Sequence, residues 1–371
     1  MFRQTEKIDF KETVDFIKGV FHTDEYLPLH PPCFDEKEKE IVCECIDSTF
    51  VSSVGKNVTL FEESIAKFCG VKRAVACVNG TNALHLALKI NGVKDGDKVI
   101  TQPLTFIATA NAIKYCNAEP VFVDVDKDTM GLSPEKLNDY LKIHNDIKAV
   151  VPMHTFGHPC RIDEIKEVCD KYGVTLVEDC AESLGSFYKG VHTGNWGEGS
   201  AISFNGNKVI TTGGGGMLLF NDEKLADYAK HLTTQAKIPH RWEFRHSETG
   251  YNYRMPNLNA SLGLAQFSKL EKFLKNKREL ANIYREFFGE RFVDEPKNSK
   301  SNFWLQAILL DNREQRDEFL TYTNDNGVMT RPAWCLMNEL EMFKNCEHGD
   351  LSNAKWIEER LVNIPSGVRK I

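Results

Sequence analysis

Between Arg73 and Phe220 the chain alternates two kinds of segment. Short apolar runs predict buried strands at Ala74–Val78, Lys98–Thr101, Pro120–Val125, Ala149–Met153, Thr175–Glu178, Ser200–Phe204 and Met217–Phe220. Between most of them lie stretches with apolar residues at helical spacing: Ala83–Ile90, Phe106–Tyr115, a helix opened by Ser133-Pro134-Glu135, and Ile162–Tyr172, with Leu225–Leu232 following the last strand. Strand, helix, strand in this order predicts an α/β fold with a mostly parallel sheet covered on both faces. Such sheets bind ligands beyond the carboxyl ends of their strands. Residues that directly follow a strand are therefore the first place to look for chemistry.

The flanks read differently. Residues 1–50 predict a polar, helical arm, with Ile41, Val42 and Ile46 among charges, and Leu60 to Phe68 predicts an amphipathic helix. Residues 233–257 are irregular and rich in His, Trp, Tyr and Asn, which suits a surface covered by a partner or ligand. Leu262 to Phe287 predicts one long helix, and Phe303–Leu310 and Glu314–Asn326 predict a strand and a helix of a separate α+β unit. The expected division is a large domain over residues 1–260 and a small C-terminal domain over 261–371. No repeat or low-complexity tract interrupts either.

Composition narrows the partners. The chain has 371 residues, 42% of them hydrophobic, enough for a sizeable core. The net charge is −7 and no Lys/Arg block stands out, so nucleic acid and anionic membrane are not expected partners. An anionic ligand must be held by local donors. The 11 cysteines form no CxxC, and the Cys43/Cys45 pair has no second pair to complete a zinc site. Reduced thiols, a charged N-terminus without an apolar signal core, and no apolar run near the ~20 residues of a membrane span lead us to expect a cytoplasmic protein with no membrane association.

The candidate chemistry centres on Ser203-Phe204-Asn205-Gly206-Asn207-Lys208, followed by the four glycines 213–216. Glycine disfavours helix and strand, so the run serves tight turning or close approach. A lysine held beside it is either a solvated loop residue or a desolvated amine able to condense with a carbonyl cofactor. Gly80-Thr81 opens a helix directly after a strand, where unpaired N–H groups and the helix dipole favour an anion. Asp179 follows a strand and could face a heterocyclic nitrogen or cap the next segment, and Glu182 could hydrogen-bond a ring hydroxyl or form a capping box with Asp179. Phe106 could stack on a planar ring or pack in the core. His154 and His158 near a strand end read more readily as hydrogen-bonded structure. Ser203 could donate to phosphate. Gly250-Tyr251-Asn252-Tyr253-Arg254-Met255 could be an interface loop with an anion clamp or simply a packed loop.

Four of these stretches in this order resemble the DegT–DnrJ–StrS sugar aminotransferases: Asn79-Gly80-Thr81-Asn82-Ala83-Leu84, Glu178-Asp179-Cys180-Ala181-Glu182-Ser183-Leu184-Gly185, Ser203 to Lys208, and Gly250 to Met255. The resemblance covers nearly the whole chain. It implies the type I fold of pyridoxal 5′-phosphate (PLP) transferases, the aspartate aminotransferase type, and a homodimer with shared active sites. It implies that Lys208 forms the Schiff base with PLP and moves protons, and that Asp179 pairs with the ring nitrogen. Gly80, Thr81 and Ser203 would hold the phosphate, Asn252 would reach it across the dimer interface, and Phe106 would stack on the ring. Two positions depart from the family pattern: Glu182 stands where many members have glutamine, and four glycines stand where many have a glutamate within the run.

Within the family, the wording of residues 103–109, 153–159 and 330–334 is similar to the branch serving legionaminic acid synthesis. That branch implies transfer of an amino group from L-glutamate to C4 of a UDP-2-acetamido-4-keto-2,6-dideoxy sugar. The alternatives are a GDP-4-keto-6-deoxymannose 4-aminotransferase of the perosamine type and a PLP-dependent sugar dehydratase. The dehydratases replace the lysine with histidine, so Lys208 argues against that chemistry. A non-catalytic sensor of sugar nucleotide or PLP would have no need of both Lys208 and Asp179. A nicotinamide oxidoreductase would carry the GxGxxG fingerprint, which is absent.

Overall fold

The computed structural model describes residues 8–369. The first seven residues, on which the reading of the N-terminus as lacking a signal core partly rested, lie outside them.

Seven strands build the central sheet: β1 (Arg73–Cys77), β2 (Lys98–Thr101), β3 (Glu119–Phe122), β4 (Ile147–Val151), β5 (Thr175–Asp179), β6 (Gly199–Ser203) and β7 (Gly216–Phe220). Their spatial order is β1-β7-β6-β5-β4-β2-β3. The neighbours from β6 through β3 run parallel, and β7 runs antiparallel to both β6 and β1. This is the mostly parallel α/β sheet expected.

The strands are largely apolar on both sides because both faces are covered, although β5 ends in Glu178 and Asp179. In β1, Val75 and Cys77 face a layer with Leu84 and Leu88 of helix Gly80–Ile90 and Ala229 of helix Glu223–Thr233. Ala74 and Ala76 face the opposite layer, with Phe61 and Ile65 of helix Lys56–Cys69 and Ala260 of helix Asn257–Phe267. Phe61 and Ile65 are fully buried. Burial of such side chains contributes ~1.5–3 kcal/mol each.

The long helix expected from Leu262 to Phe287 is two helices, Asn257–Phe267 and Leu270–Phe288. The break falls at Ser268-Lys269, and its cause lies outside the local pattern. The Ser268 hydroxyl donates back to the Ala265 carbonyl (2.6 Å) and accepts from Lys37 Nζ (2.8 Å). Lys269 Nζ reaches Glu38 (2.5 Å) and Asp35 (3.0 Å) at the start of helix Glu36–Asp47. Hydrophobic spacing continues smoothly through the break, so periodicity alone could not reveal it.

The C-terminal part adds a three-stranded antiparallel sheet of Gln306–Leu309, Leu361–Ile364 and Arg331–Pro332. Helix Phe10–Phe21 packs here: Val14 and Ile17 share a core with Leu280, Tyr284 and Phe319. Among the described residues, no helix is long and apolar enough to cross a membrane, and all eleven cysteines are unpaired.

Candidate active site

The carboxyl ends of β1, β2, β5 and β6 open into one cleft of about 250 Å³. Gly80, Thr81, Phe106, Asp179, Glu182, Ser203 and Lys208 all line it. Seven residues singled out across 129 positions of sequence thus meet in one place. Asn252 does not line the cleft; it is exposed on the same chain, where it bridges Thr234.

Gly80 and Thr81 begin helix Gly80–Ile90, whose N-cap Asn79 accepts from the Asn82 N–H (2.8 Å). The first amides of the helix have no partner one turn back, so they and the dipole favour an anion. Ser203, the last residue of β6, closes the other side. A Cβ added to Gly80 would lie 2.8 Å from Ser203 Cβ, so glycine is needed for this approach. The resulting cradle offers backbone N–H groups and two hydroxyls and fits a phosphate.

Asp179 ends β5 and is buried. No helix starts after it, so the N-cap and capping-box alternatives are not what the fold uses. Its Oδ1 accepts from the Ala181 N–H (3.0 Å) and its Oδ2 from the Thr109 hydroxyl (2.7 Å). Burial raises its carboxyl above the ordinary range, while Thr109, the Ala181 amide and Lys208 oppose the shift. A buried carboxylate with this balance is receptive to a cation in the cleft.

Glu182 belongs to a different network. Its Oε2 accepts from the Phe156 N–H (2.8 Å), and its Oε1 lies 3.4 Å from Lys208 Nζ. Burial pushes it up to about 7, against the pull of Lys208 and of the Phe156 amide. Phe156 adopts φ 56°, ψ 14°, the left-handed region that a bulky residue rarely takes. That strained turn is what aims its amide at Glu182.

Lys208 sits in the turn after β6, its N–H donating to the Asn205 carbonyl (3.0 Å). Its amine lies 3.7 Å from the centre of the Trp304 ring. The Trp304 indole N–H donates to the Asn207 carbonyl (2.6 Å), which ties the ring to the lysine loop. Trp334 also lines the cleft, 6.2 Å from Phe106 and 4.9 Å from Phe156. Phe106 is not inside the helix predicted from it but is its N-cap, half exposed toward the cleft. It is not a core residue.

His154 is buried against Glu178 (3.2 Å) and the Cys160 N–H (3.3 Å), and His158 is buried beside Phe303; neither lines the cleft. His154 is hydrogen-bonded structure, the reading its position favoured, whereas both ring nitrogens of His158 are buried with no hydrogen-bond partner among the described residues. His154, Glu178 and Cys180 stand close enough to suggest a metal site. The Glu178 oxygens, however, already accept from the amides of Gly194, Trp196 and Gly197, and burial alone would raise a carboxyl that these bonds and His154 hold lowered. Sequence reasoning missed Trp304 outright, and it held Thr109, Phe156 and Trp334 only within the stretches 103–109, 153–159 and 330–334 that carry the branch resemblance, with no individual role for any of them. Thr109 was within reach, one turn beyond Phe106 on the same helix. Trp304 comes from the C-terminal unit, and no local signal marks it.

An amine, a buried carboxylate, a phosphate cradle and an aromatic side wall around one cleft fit PLP, and on this fold they define a PLP-dependent transaminase. The chain belongs to the DegT/DnrJ/EryC1/StrS aminotransferase family, whose family model matches residues 32–369. It is 40% identical to GDP-perosamine synthase of Escherichia coli O157:H7 over 346 residues, 92% of this chain and 93% of that protein. It is 39% identical to the putative pyridoxal phosphate-dependent aminotransferase EpsN of Bacillus subtilis, covering 91% of this chain and 90% of that one. Among solved structures, the aminotransferase TlmJ of Streptoalloteichus hindustanus superposes with a TM-score of 0.87 at 29% identity, over 92% of this chain and 93% of that one. PseC of Helicobacter pylori, an aminotransferase of pseudaminic acid biosynthesis, gives 0.85 at 25%, over 92% and 94%.

Proposed function

We propose that the protein is a nucleotide-sugar 4-aminotransferase that takes its amino group from L-glutamate and delivers it to C4 of a GDP-linked 4-keto-6-deoxyhexose. The observation that carries the chemistry is the Lys208 amine, held at the cleft between Glu182 and Trp304. The GDP-linked substrate is supported by three GDP-perosamine synthases that are 36–40% identical over at least 90% of this chain. They favour the perosamine-type alternative over the UDP-linked legionaminic substrate first expected. The second reading keeps one specific support, the wording of residues 103–109, 153–159 and 330–334.

Bound PLP supplies an electron sink joined to the amino group in transit. The side chains do the rest. Lys208 Nζ holds the cofactor covalently at rest. Its free amine would take the proton from the donor's Cα, and in the second half would return one to C4 of the sugar. Asp179 keeps the ring nitrogen cationic. Glu182 would hydrogen-bond the ring hydroxyl, and Phe106, which lines the same cleft, would hold the ring. Gly80, Thr81 and Ser203 hold the phosphate, and Asn252 of a second copy completes that cradle in a homodimer. One amine serves both halves, so the cleft needs no second strong base. The site of action is cytoplasmic, where sugar nucleotides are made.

The test is a panel of GDP- and UDP-linked 4-keto-6-deoxy sugars with glutamate, with the product's C4 configuration read by NMR. An amino sugar from the GDP-linked ketone alone supports the main reading, and one from the UDP-linked N-acetyl ketone alone replaces it with the second. No amino sugar from any ketone refutes both.

A further inference from the structure

A second amine is buried behind the cleft wall. Lys277, in helix Leu270–Phe288, has no solvent exposure. Its Nζ donates to the carbonyls of Trp304 (3.2 Å) and Ser366 (2.5 Å) and lies 2.7 Å from His30 Nε2. Three distant segments, one N-terminal, one before Gln306–Leu309 and one C-terminal, thus meet on one nitrogen. Burying an amine is costly, and an apolar side chain of this length would avoid the cost. Burial pushes Lys277 down to about 7 and holds His30 well below its ordinary value. Burial thus weakens the charge on both groups, and the geometry makes the lysine a hydrogen-bond donor to two carbonyls.

What it donates to matters. Trp304 lies in an irregular stretch with no strand partner, and Lys277 is the partner of its carbonyl among the described hydrogen bonds. The Trp304 N–H donates to Asn302 Oδ1 (2.8 Å), and Asn302 in turn donates to the Glu182 and Leu184 carbonyls. The indole N–H is held by Asn207, and the ring faces the Lys208 amine. Trp304 is anchored at every polar atom: its backbone N–H by Asn302, its indole N–H by Asn207 of the lysine loop, and its carbonyl by Lys277.

We propose that Lys277 is a positioning residue for Lys208: by fixing the Trp304 carbonyl, it holds the indole ring against the catalytic amine and keeps that amine at the cleft. This rests on the PLP reading, and the experiment separates the two. Full-length protein is stripped of cofactor and given either pyridoxine 5′-phosphate or PLP. Pyridoxine 5′-phosphate has the phosphate and ring but no aldehyde, so it reports non-covalent seating. PLP reports covalent capture, in which the Lys208 nitrogen bonds to the aldehyde carbon and the oxygen leaves as water.

In Lys277→Met we expect pyridoxine 5′-phosphate to bind within twofold of wild type, while capture of PLP slows at least fivefold, the scale of a lost contact between an amine and an indole ring. Turnover should fall with KM for glutamate little changed. An unchanged capture rate overturns the proposal, as does a loss of pyridoxine phosphate binding that matches the loss of capture. Failure of the wild type to bind either compound refutes the PLP reading itself. His30→Gln acts on the same network from the N-terminal segment and should slow capture in the same way. If neither variant folds, Lys277 is a stability element only and the proposal fails.

Discussion

Asp179→Asn tests the charge at the centre of the proposed site with the least change in shape. Both carboxylate oxygens are already tethered, Oδ1 by the Ala181 amide and Oδ2 by the Thr109 hydroxyl. In the variant, Oδ1 keeps the Ala181 bond, and the Thr109 hydroxyl rotates to accept from the new Nδ2. The side chain stays in place and only the charge goes. Burial already works against that charge, which is why the carboxyl sits above its ordinary range. Removing one partner of a buried, hydrogen-bonded ion pair costs about 3–5 kcal/mol. If the cationic ring nitrogen is needed mainly while the α proton moves, that cost appears in the barrier. At 1.36 kcal/mol per decade, kcat should fall about 10²- to 10⁴-fold. Cofactor content, read by absorbance after gel filtration, should stay near one per chain, because the phosphate cradle and Lys208 are untouched. Single-turnover rates with glutamate give the chemical step. A rate within threefold of wild type, with cofactor bound, would remove Asp179 from the mechanism.

Three further outcomes follow from the same geometry. Thr109→Val removes a hydrogen bond to a charged group, worth about 1.5–3 kcal/mol, so single-turnover rates should drop roughly ten- to a hundredfold with the melting temperature little changed; an unchanged rate would show that Asp179 needs no second tether. Gly80→Ala places a methyl 2.8 Å from Ser203 Cβ, so affinity for pyridoxine 5′-phosphate should weaken about tenfold or more, and unaltered binding would move the phosphate elsewhere. Glu182 titrates near 7 rather than at the ordinary 4.5, so the cofactor-free fold binds its proton more tightly than the unfolded chain does. Stability therefore falls as pH rises from about 4.5 through 7, by up to about 3 kcal/mol. Denaturant titrations of Glu182→Gln should match wild type at pH 4.5 and exceed it at pH 8; parallel curves across that range would contradict the assignment.

The sequence made the sheet and the cleft legible for a common reason. Buried parallel strands are continuous apolar runs, and chemistry gathers at their carboxyl ends, so Gly80, Phe106 and Asp179 could be picked out by position, while Ser203 gained meaning only beside them. The same local logic is blind to what arrives from elsewhere in the chain. The break at Ser268-Lys269 is set by Lys37, Glu38 and Asp35, more than two hundred residues earlier. The amide that Glu182 accepts comes from Phe156, through a backbone conformation that residue type does not announce. The ring facing Lys208 comes from position 304. Each is a contact between distant segments, which no spacing rule over a dozen residues can contain.

The run of four glycines shows how structure separates residues that look identical in sequence. Gly213 has φ +80°, so a side chain there is strained whatever the space around it. At Gly215 a Cβ would lie 2.2 Å from Thr212 Oγ1 and 2.7 Å from Met255 Cε. At Gly216 it would lie 2.3 Å from the Asn79 carbonyl oxygen, where β7 pairs with β1 just before helix Gly80–Ile90 begins. Those three are dictated by the fold. Gly214 is not: a Cβ there meets only the Val78 carbonyl at 3.9 Å, its φ is not left-handed, and the residue lines the cleft. Within this run, position 214 alone can accept the glutamate that many family members carry without disturbing the sheet. The missing side chain leaves that edge of the cleft wider and without an added negative charge beside the helix N-terminus, so this departure from the family pattern alters the site and leaves the scaffold intact.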